Sequence, residues 1–230
     1  MTIRLYDLVG RDPARPFSPH CWKAAMALAH KGLDFESIPT PFTAVPTVEG
    51  GASKTIPVIN DKGRVVSDSF AIAEYLEDTY PDRPSLFGGE GGRALSRFVE
   101  SWSQKTIHPF IGSVAIMDIH DMLASEDQAY FRTSREKVYG KALEQVIEGR
   151  DQRLATFLPR LDPLRMTLAR QPFLGGEAPL FADYIVFGAL QWLRVSSSYA
   201  MLAEDDPVAG WFERCLDLHG GLGRKTPACG

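Results

Sequence analysis

Strand signals in this chain stop near residue 67, and that change of rhythm constrains the fold more than any other feature. Before it, strand and helix patterns alternate. Residues 2–6 read as a short strand with Ile3 and Leu5 on one face. After a loop holding Pro13 and Pro16, the pattern predicts a helix from Pro19 to about Lys31, closed by Gly32. Trp22, Met26 and Ala29, with Ala25 between, give that helix an apolar stripe. Residues 35–38 form a second strand, which returns beside the first through a βαβ crossover. Residues 56–59 and 64–66 flank Asn60-Asp61-Lys62-Gly63, the signature of an antiparallel hairpin. A helix then opens near Asp68-Ser69, turns Ile72, Tyr75 and Leu76 inward, and ends before Pro81.

From Arg93 onward only helical periodicity remains. Leu95, Phe98, Val99 and Trp102 begin a long helix that Pro109 should kink. Val138, Ala142, Leu143, Val146 and Ile147 make a second stripe. Leu154, Leu158, Leu161, Leu164 and Leu168 make a third, which Pro159 and Pro163 must interrupt. Residues 182–193 are so apolar that their helix should be buried on all sides. A glycine-rich stretch with Pro84 separates the two rhythms. The expected organisation is a small α/β domain over residues 1–82, a linker over 83–92 and an all-helical domain over 93–230.

Composition narrows the function classes. The 230 residues include 25 Lys+Arg against 29 Asp+Glu, a formal charge of −4, with no basic stripe. A nucleic-acid partner is therefore disfavoured, and anionic membranes lose their electrostatic attraction. The longest uncharged apolar run, residues 184–193, is about half of the ~20 residues a bilayer crossing needs. The first residues enter a strand pattern directly, without a signal-peptide apolar region, so a soluble cytoplasmic protein is expected. Cys21, Cys215 and Cys229 have neither C-x-x-C nor His-Cys ligand spacing. Neither a disulfide framework nor a metal site is expected.

The element order of the first half matches a thioredoxin-like arrangement, and three local features point to a site within it. Pro57 stands at the entry to what should be a central strand, where proline removes a ladder donor. A cis Ile56-Pro57 bond accounts for it and turns the Ile56 backbone outward to pair with an extended peptide. A trans proline on an edge strand is the alternative. Ser18-Pro19 opens the first helix with a serine cap and a proline at the first helical position. Capping alone explains that pair, but the hydroxyl is also suited to hold a sulfur anion. Lowering a thiol pKa near 8.5 by about two units requires roughly 2.7 kcal/mol. A hydrogen bond to a charged group supplies about 1.5–3 kcal/mol, and a helix N-terminus about 1–2 more. Asp68-Ser69 opens the last helix of this half as a third element. Either it is an ordinary cap, or Ser69 takes an α-carboxylate while Asp68 pairs with the α-ammonium.

Ser18-Pro19, Ile56-Pro57-Val58 and Asp68-Ser69-x-Ala-Ile-x-x-Tyr-Leu together resemble the glutathione transferase superfamily. Phe17-Ser18-Pro19 with Trp22, Pro41-Phe42-Thr43, Tyr80-Pro81-Asp82-Arg83-Pro84 with Leu86-Phe87, and His120-Asp121 extend the likeness. Glu148-Gly149-Arg150, Leu174-Gly175-Gly176, Phe181-Ala182-Asp183-Tyr184, Asp205-Asp206-Pro207 and Gly221-Leu222-Gly223-Arg224 carry it to the end of the chain. This fuller set is similar to the bacterial β-etherase-like branch, whose members include enzymes cleaving lignin-type β-aryl ethers. The implied architecture is an α/β thioredoxin-like N-terminal domain plus an all-α C-terminal domain, in a homodimer. The resemblance implies that glutathione lies along Ile56 and Pro57, its γ-glutamyl end at Asp68 and Ser69 and its sulfur at Ser18. Lys54 is a candidate for the glycine carboxylate, against its reading as a solvated surface lysine. Asp183 matches the acid of the superfamily's N-capping box, but Leu180 stands where that motif expects a hydroxyl. The missing side-chain cap costs about 1 kcal/mol unless another group replaces it.

Serine at position 18 can stabilise glutathione's own thiolate but cannot form a mixed disulfide. Attack on an electrophile is therefore favoured over thiol–disulfide exchange, and Cys21 is kept as the thiol a glutaredoxin-like reductase would need. A non-catalytic glutathione- or ligand-binding module is the other alternative. A small hydrophobic or aromatic electrophile should bind between the halves. Its candidate lining residues are His108, Phe110, Met117, Tyr130, Phe131, Trp192 and Tyr199, against their reading as core packing. For a β-aryl ether with a neighbouring ketone, the thiolate displaces a phenolate from the adjacent carbon, and the enzyme orients the substrate and stabilises the departing anion.

Overall fold

A computed structural model describes residues 2–229; Met1 and Gly230, the outermost residues of the two expected domains, lie outside the described residues. The first half runs β1 (Ile3–Leu8), α1 (Pro19–His30), β2 (Phe35–Thr40), a 3-10 segment (Phe42–Gly50), β3 (Val58–Asp61), β4 (Arg64–Ser67) and α2 (Ser69–Thr79). The sheet order is β2-β1-β3-β4, with β1 parallel to β2 and the other pairs antiparallel. Leu5 sits at its centre, opposite Ser37 on one side and Ile59 on the other. The hairpin turns on Lys62 and Gly63, whose φ values of 53° and 94° are the left-handed pair a two-residue turn between twisted strands needs. α1 closes at Gly32, also left-handed at φ 62°.

The second half contains α3 (Glu90–Val114), α4 (Ile116–Met122), α5 (Ser125–Tyr139), α6 (Leu143–Ile147), α7 (Arg150–Phe157), α8 (Asp162–Leu168), α9 (Phe181–Ser196) and α10 (Pro207–Lys225). A 3-10 turn (Leu158–Leu161) joins α7 to α8, so the leucine stripe is segmented where Pro159 and Pro163 stand. Phe181 through Leu190 are all buried, as the apolar run requires. Among the described residues, no helix is long and apolar enough to cross a membrane.

Four expectations change. α3 stays helical through Pro109, which faces solvent, where the Lys105 carbonyl it frees can be hydrated. Leu95 and Phe98, expected inside, lie on the outer face of α3, with Phe98 68% exposed. Val138 is likewise exposed, because Gly140 at φ 68° ends α5 and the stripe resumes on α6. The segment expected as a linker is anchored, and α3 already begins at Glu90 inside it. Leu86 and Phe87 are fully buried. Phe87 packs against Phe70 and Phe181 at 5.8 and 5.6 Å between ring centroids, and the Leu86 carbonyl accepts from Phe181 N at 2.7 Å.

The halves meet where α9 lies across the start of α1. A Cβ at Gly188 would stand 2.3 Å from the Pro19 carbonyl oxygen, so only glycine permits this approach. Lys23 of α1, fully buried, donates to both oxygens of Glu100 on α3 at 2.9 Å. The Asp183 carboxylate ties α9 to the preceding loop and to α10. It accepts from the backbone N–H groups of Leu174, Gly175 and Leu180 and from Trp211 Nε1, all at 2.7–3.0 Å. Leu180 offers no side-chain cap, and its own carbonyl accepts from Asp183 N at 2.9 Å instead. Another group therefore takes the amide that the absent hydroxyl would have served.

Candidate functional site

Ser18 is buried at the N-terminus of α1, with extended backbone angles, and its Oγ accepts from Cys21 N at 3.3 Å. That bond uses the oxygen as an acceptor, and the hydroxyl also interacts with the Cys21 side chain, which works to lower the pKa of that thiol. Ser18 lines a cavity of about 380 Å³ between the two halves, large enough for a small ligand. On the N-terminal side the lining continues with Phe17, His20, Phe42, Lys54, Thr55 and Ile56. The Ile56-Pro57 peptide is cis. Pro57 is buried behind Ile56 and does not line the cavity.

The 3-10 segment that carries Phe42 is fixed at both ends. Phe42 N and Thr43 N each donate at 2.9 Å to the two carboxylate oxygens of Asp127, which is buried in the first turn of α5. At the other end Tyr6 Oη donates to Glu49 Oε1 at 2.5 Å, and Arg4 pairs with the same carboxylate at 3.1 Å. Phe42 packs against Tyr130 and Phe131 of α5, with ring centroids 5.8 Å apart in both cases.

Asp68 caps α2, its Oδ1 accepting from Phe70 N and Ala71 N at 2.9 and 3.0 Å. Its φ of 76° is a strained value for a non-glycine residue, of the kind that costs about 1–3 kcal/mol. The exposed Asp68 and the buried Ser69 stand apart from the lining of the cavity, although the charge of Asp68 reaches Lys23 of α1.

The helical side of the cavity is formed by His108 and Gly112 of α3, Ile119 of α4, Tyr130, Phe131 and Arg135 of α5, and Trp192 of α9. Three candidates from the sequence do not reach it. Phe110 is two residues past His108 and so faces the other side of α3, stacked on Phe157 at 3.9 Å in the helical core. Met117 lies beyond the break at Ala115, half-buried against the core. Tyr199 lines a separate shallow depression with Met201 and Phe212, beneath the Arg150 guanidinium.

His108 stacks on His20 at 5.3 Å between centroids and leans against Trp192 at 6.2 Å. Its Nδ1 lies 3.1 Å from the Ser103 carbonyl oxygen, which can only accept, so this nitrogen carries the proton. Nε2 is then the basic nitrogen, buried and without a hydrogen-bond partner in the protein. Burial, reinforced by the Lys23 cation, lowers the His108 pKa to about 4. His20 is depressed as well, chiefly by burial and then by Lys23, whose Nζ stands 3.1 Å from its Nδ1.

Cys21 does not line the cavity. Its buried Sγ faces the Tyr6 carbonyl at 3.8 Å, and burial followed by the Asp7 charge pushes the thiol pKa well up. Burial also raises Asp7 to about 7. A buried thiol of raised pKa is not a nucleophile, so the reductase alternative loses its reactive group.

Sequence reasoning missed His20, Gly112 and Arg135. For Arg135 a signal was present: it follows Phe131 by one helical turn and shares its face.

An α/β sheet domain is joined to a helical domain, with a capping serine at the cavity between them. Residues 17–79 match the glutathione S-transferase N-terminal domain, and residues 94–217 match the glutathione S-transferase C-terminal domain. The chain therefore belongs to the glutathione S-transferase family. It is 25% identical over 224 residues to a glutathione S-transferase-like protein of Aspergillus flavus, covering 83% of this chain and 79% of that one. A glutathione transferase from Phanerochaete chrysosporium is 28% identical and superposes with a TM-score of 0.75, over 98% of this chain and 94% of the other. A glutathione S-transferase of Ceriporiopsis subvermispora, solved in complex with glutathione, shares the fold with a TM-score of 0.81 at 23% identity, over 100% and 99% of the two chains.

Proposed function

We propose that this protein is a glutathione transferase that keeps the glutathione thiolate charged at Ser18 and delivers it to a small hydrophobic or aromatic electrophile in the adjoining cavity. The observation that carries this reading is the Ser18 Oγ at the cavity wall, anchored as an acceptor by the Cys21 amide. Glutathione then lies along Ile56 and Pro57, with its γ-glutamyl end at Asp68 and Ser69. Asp68 caps α2 through Oδ1, which leaves Oδ2 for the α-ammonium. Lys54 stands at the exposed rim for the glycine carboxylate. Attack forms the C–S bond, and the leaving group departs with the electron pair.

The resemblance to β-etherase-like proteins supports a β-aryl ether as one such electrophile, with a phenolate as the leaving group. The free apolar stripe of Leu95 and Phe98 on α3 supports pairing of two copies of the chain. The buried thiols of Cys21 and Cys215 accord with a cytoplasmic location. The test is a turnover screen over aromatic halides and model β-aryl ethers, for the native protein and Ser18→Ala. Lost turnover with retained glutathione affinity supports the enzyme. Glutathione binding by the native protein without turnover of any electrophile would make it a binding module.

A further inference from the structure

We infer that Arg135 anchors an anionic group on the acceptor substrate, so that the preferred electrophile is an acidic aromatic compound, typically a carboxylate; this rests on the transferase reading above. Arg135 lies on the cavity wall, its guanidinium carbon 5.0 Å from the Phe131 ring centroid and 5.9 Å from that of Phe42. Its side-chain hydrogen bond within the protein goes to Ser134 Oγ, at 3.0 Å. No carboxylate among the described residues pairs with it, and burial lowers its pKa, opposed by the phenols of Tyr130 and Tyr139 and by no carboxylate. A guanidinium keeps its charge regardless, and a desolvated cation without a counter-ion is costly.

Half-buried Arg15, Arg153 and Arg194 donate to backbone carbonyls instead of a carboxylate, whereas the guanidinium of Arg135 has only a serine hydroxyl. Lys23 and Lys31, the two fully buried cations, are paired with Glu100 at 2.9 Å and Glu77 at 2.6 Å. Asp127, two turns before Arg135 on the same helix, has both oxygens engaged by the amides of the 3-10 segment. No Asp or Glu lines the cavity, and Lys54 adds a second positive charge at its rim. Phe42, Phe131 and Trp192 flank the space with ring faces suited to a flat aromatic body. A guanidinium facing a carboxylate can form two parallel hydrogen bonds, which fixes orientation as well as affinity.

The probes are 4-chloro-3,5-dinitrobenzoate and its neutral carboxamide, offered with glutathione to the native protein, Arg135→Gln and Arg135→Lys. In each reaction sulfur bonds to the carbon bearing chlorine, the C–Cl bond breaks, and chloride leaves with its electron pair. The thiol proton passes to solvent. The native protein should favour the acid over the amide in kcat/KM by at least tenfold. Arg135→Gln should abolish that preference through KM of the acid, with the amide and the glutathione KM unchanged within twofold, and Arg135→Lys should restore part of it. Equal losses for both probes would mean a structural role or an effect on the leaving group, and a raised glutathione KM would assign Arg135 to glutathione's own carboxylate. Either result overturns the inference. A second measurement needs neither turnover nor a variant: the native protein should bind S-(4-carboxybenzyl)glutathione at least tenfold more tightly than S-(4-carbamoylbenzyl)glutathione. Equal affinities, with glutathione itself still bound, defeat the inference and leave the transferase reading standing. Absence of glutathione binding defeats both.

Discussion

The two walls of the cavity are held by different means. On the N-terminal wall the Ser18 hydroxyl is positioned by an amide three residues away, at 3.3 Å, and Ile56 by its bond to Pro57. On the helical wall the His108 imidazole is positioned by rings remote in the chain, His20 and Trp192, and Asp127 of α5 ties that wall to the Phe42 loop of the other. Under the proposed function the first wall has one chemical task, holding a sulfur anion. The second is an assembly of side chains whose identity can vary without disturbing the first, which suits a family that keeps one thiol and varies its acceptors.

Separating the walls should have the largest effect. Asp127→Ala removes the acceptor for two loop amides, and hydrogen bonds to a charged group are worth about 1.5–3 kcal/mol each. The expected loss is about 3 kcal/mol of stability, read as a lower urea midpoint, with Asp127→Asn intermediate. An unchanged midpoint would mean that the walls are not joined there. Ser18→Ala should cost about 2.7 kcal/mol in the transfer barrier, about a hundredfold in kcat/KM, by returning the bound thiol pKa some two units toward its free value. The ultraviolet absorbance of the thiolate, titrated with pH, reads this directly, and an unshifted titration would remove the hydroxyl's assigned role.

A third experiment concerns only the helical wall. His108 stays neutral down to about pH 4, whereas the unfolded imidazole takes a proton near 6.5. The unfolded state binds more protons in that window, so stability falls as pH drops from about 7 to 4. His219, also lowered to about 4 by burial, adds to the same slope. His108→Gln should recover about 2 kcal/mol of the loss between pH 8 and pH 5. Equal slopes for variant and native protein would place the burden on other groups. The smallest effect belongs to Gly112→Ala. The new Cβ would meet the Trp192 ring at 3.3 Å and Tyr139 Oη at 3.4 Å, narrowing the acceptor side alone. KM for a bulky electrophile should rise severalfold while that for glutathione stays constant. A change in the glutathione KM instead would show that the walls are coupled.

Much of the N-terminal wall was readable from residue types. Serine followed by proline marks a helix start, Lys62-Gly63 a tight hairpin, and Pro57 a break in the ladder, each decided within a few residues. The helical wall was only half readable. His108, Tyr130, Phe131 and Trp192 reach the cavity, while Phe110, Met117 and Tyr199 do not. Periodicity shows that residues share a face but not which neighbour covers it. Phe98 faces outward for that reason, and Arg135, although one turn after Phe131 on the same face, could be placed at the cavity only once the structure showed that face turned toward Phe42.

The amino-acid sequence alone determined the local chemistry: where helices begin, which hydroxyl and carboxylate cap them, and where the sheet half gives way to the helical half. Such features depend on backbone angles and hydrogen bonds between near neighbours. Tertiary structure decided which side chains share the cavity and which cations keep a counter-ion. Those outcomes depend on close approach between distant segments, as where Gly188 lets α9 settle on Pro19 and Asp127 draws α5 to the Phe42 loop. Burial then sets the charge states, leaving His108 neutral and Arg135 charged without a protein counter-ion.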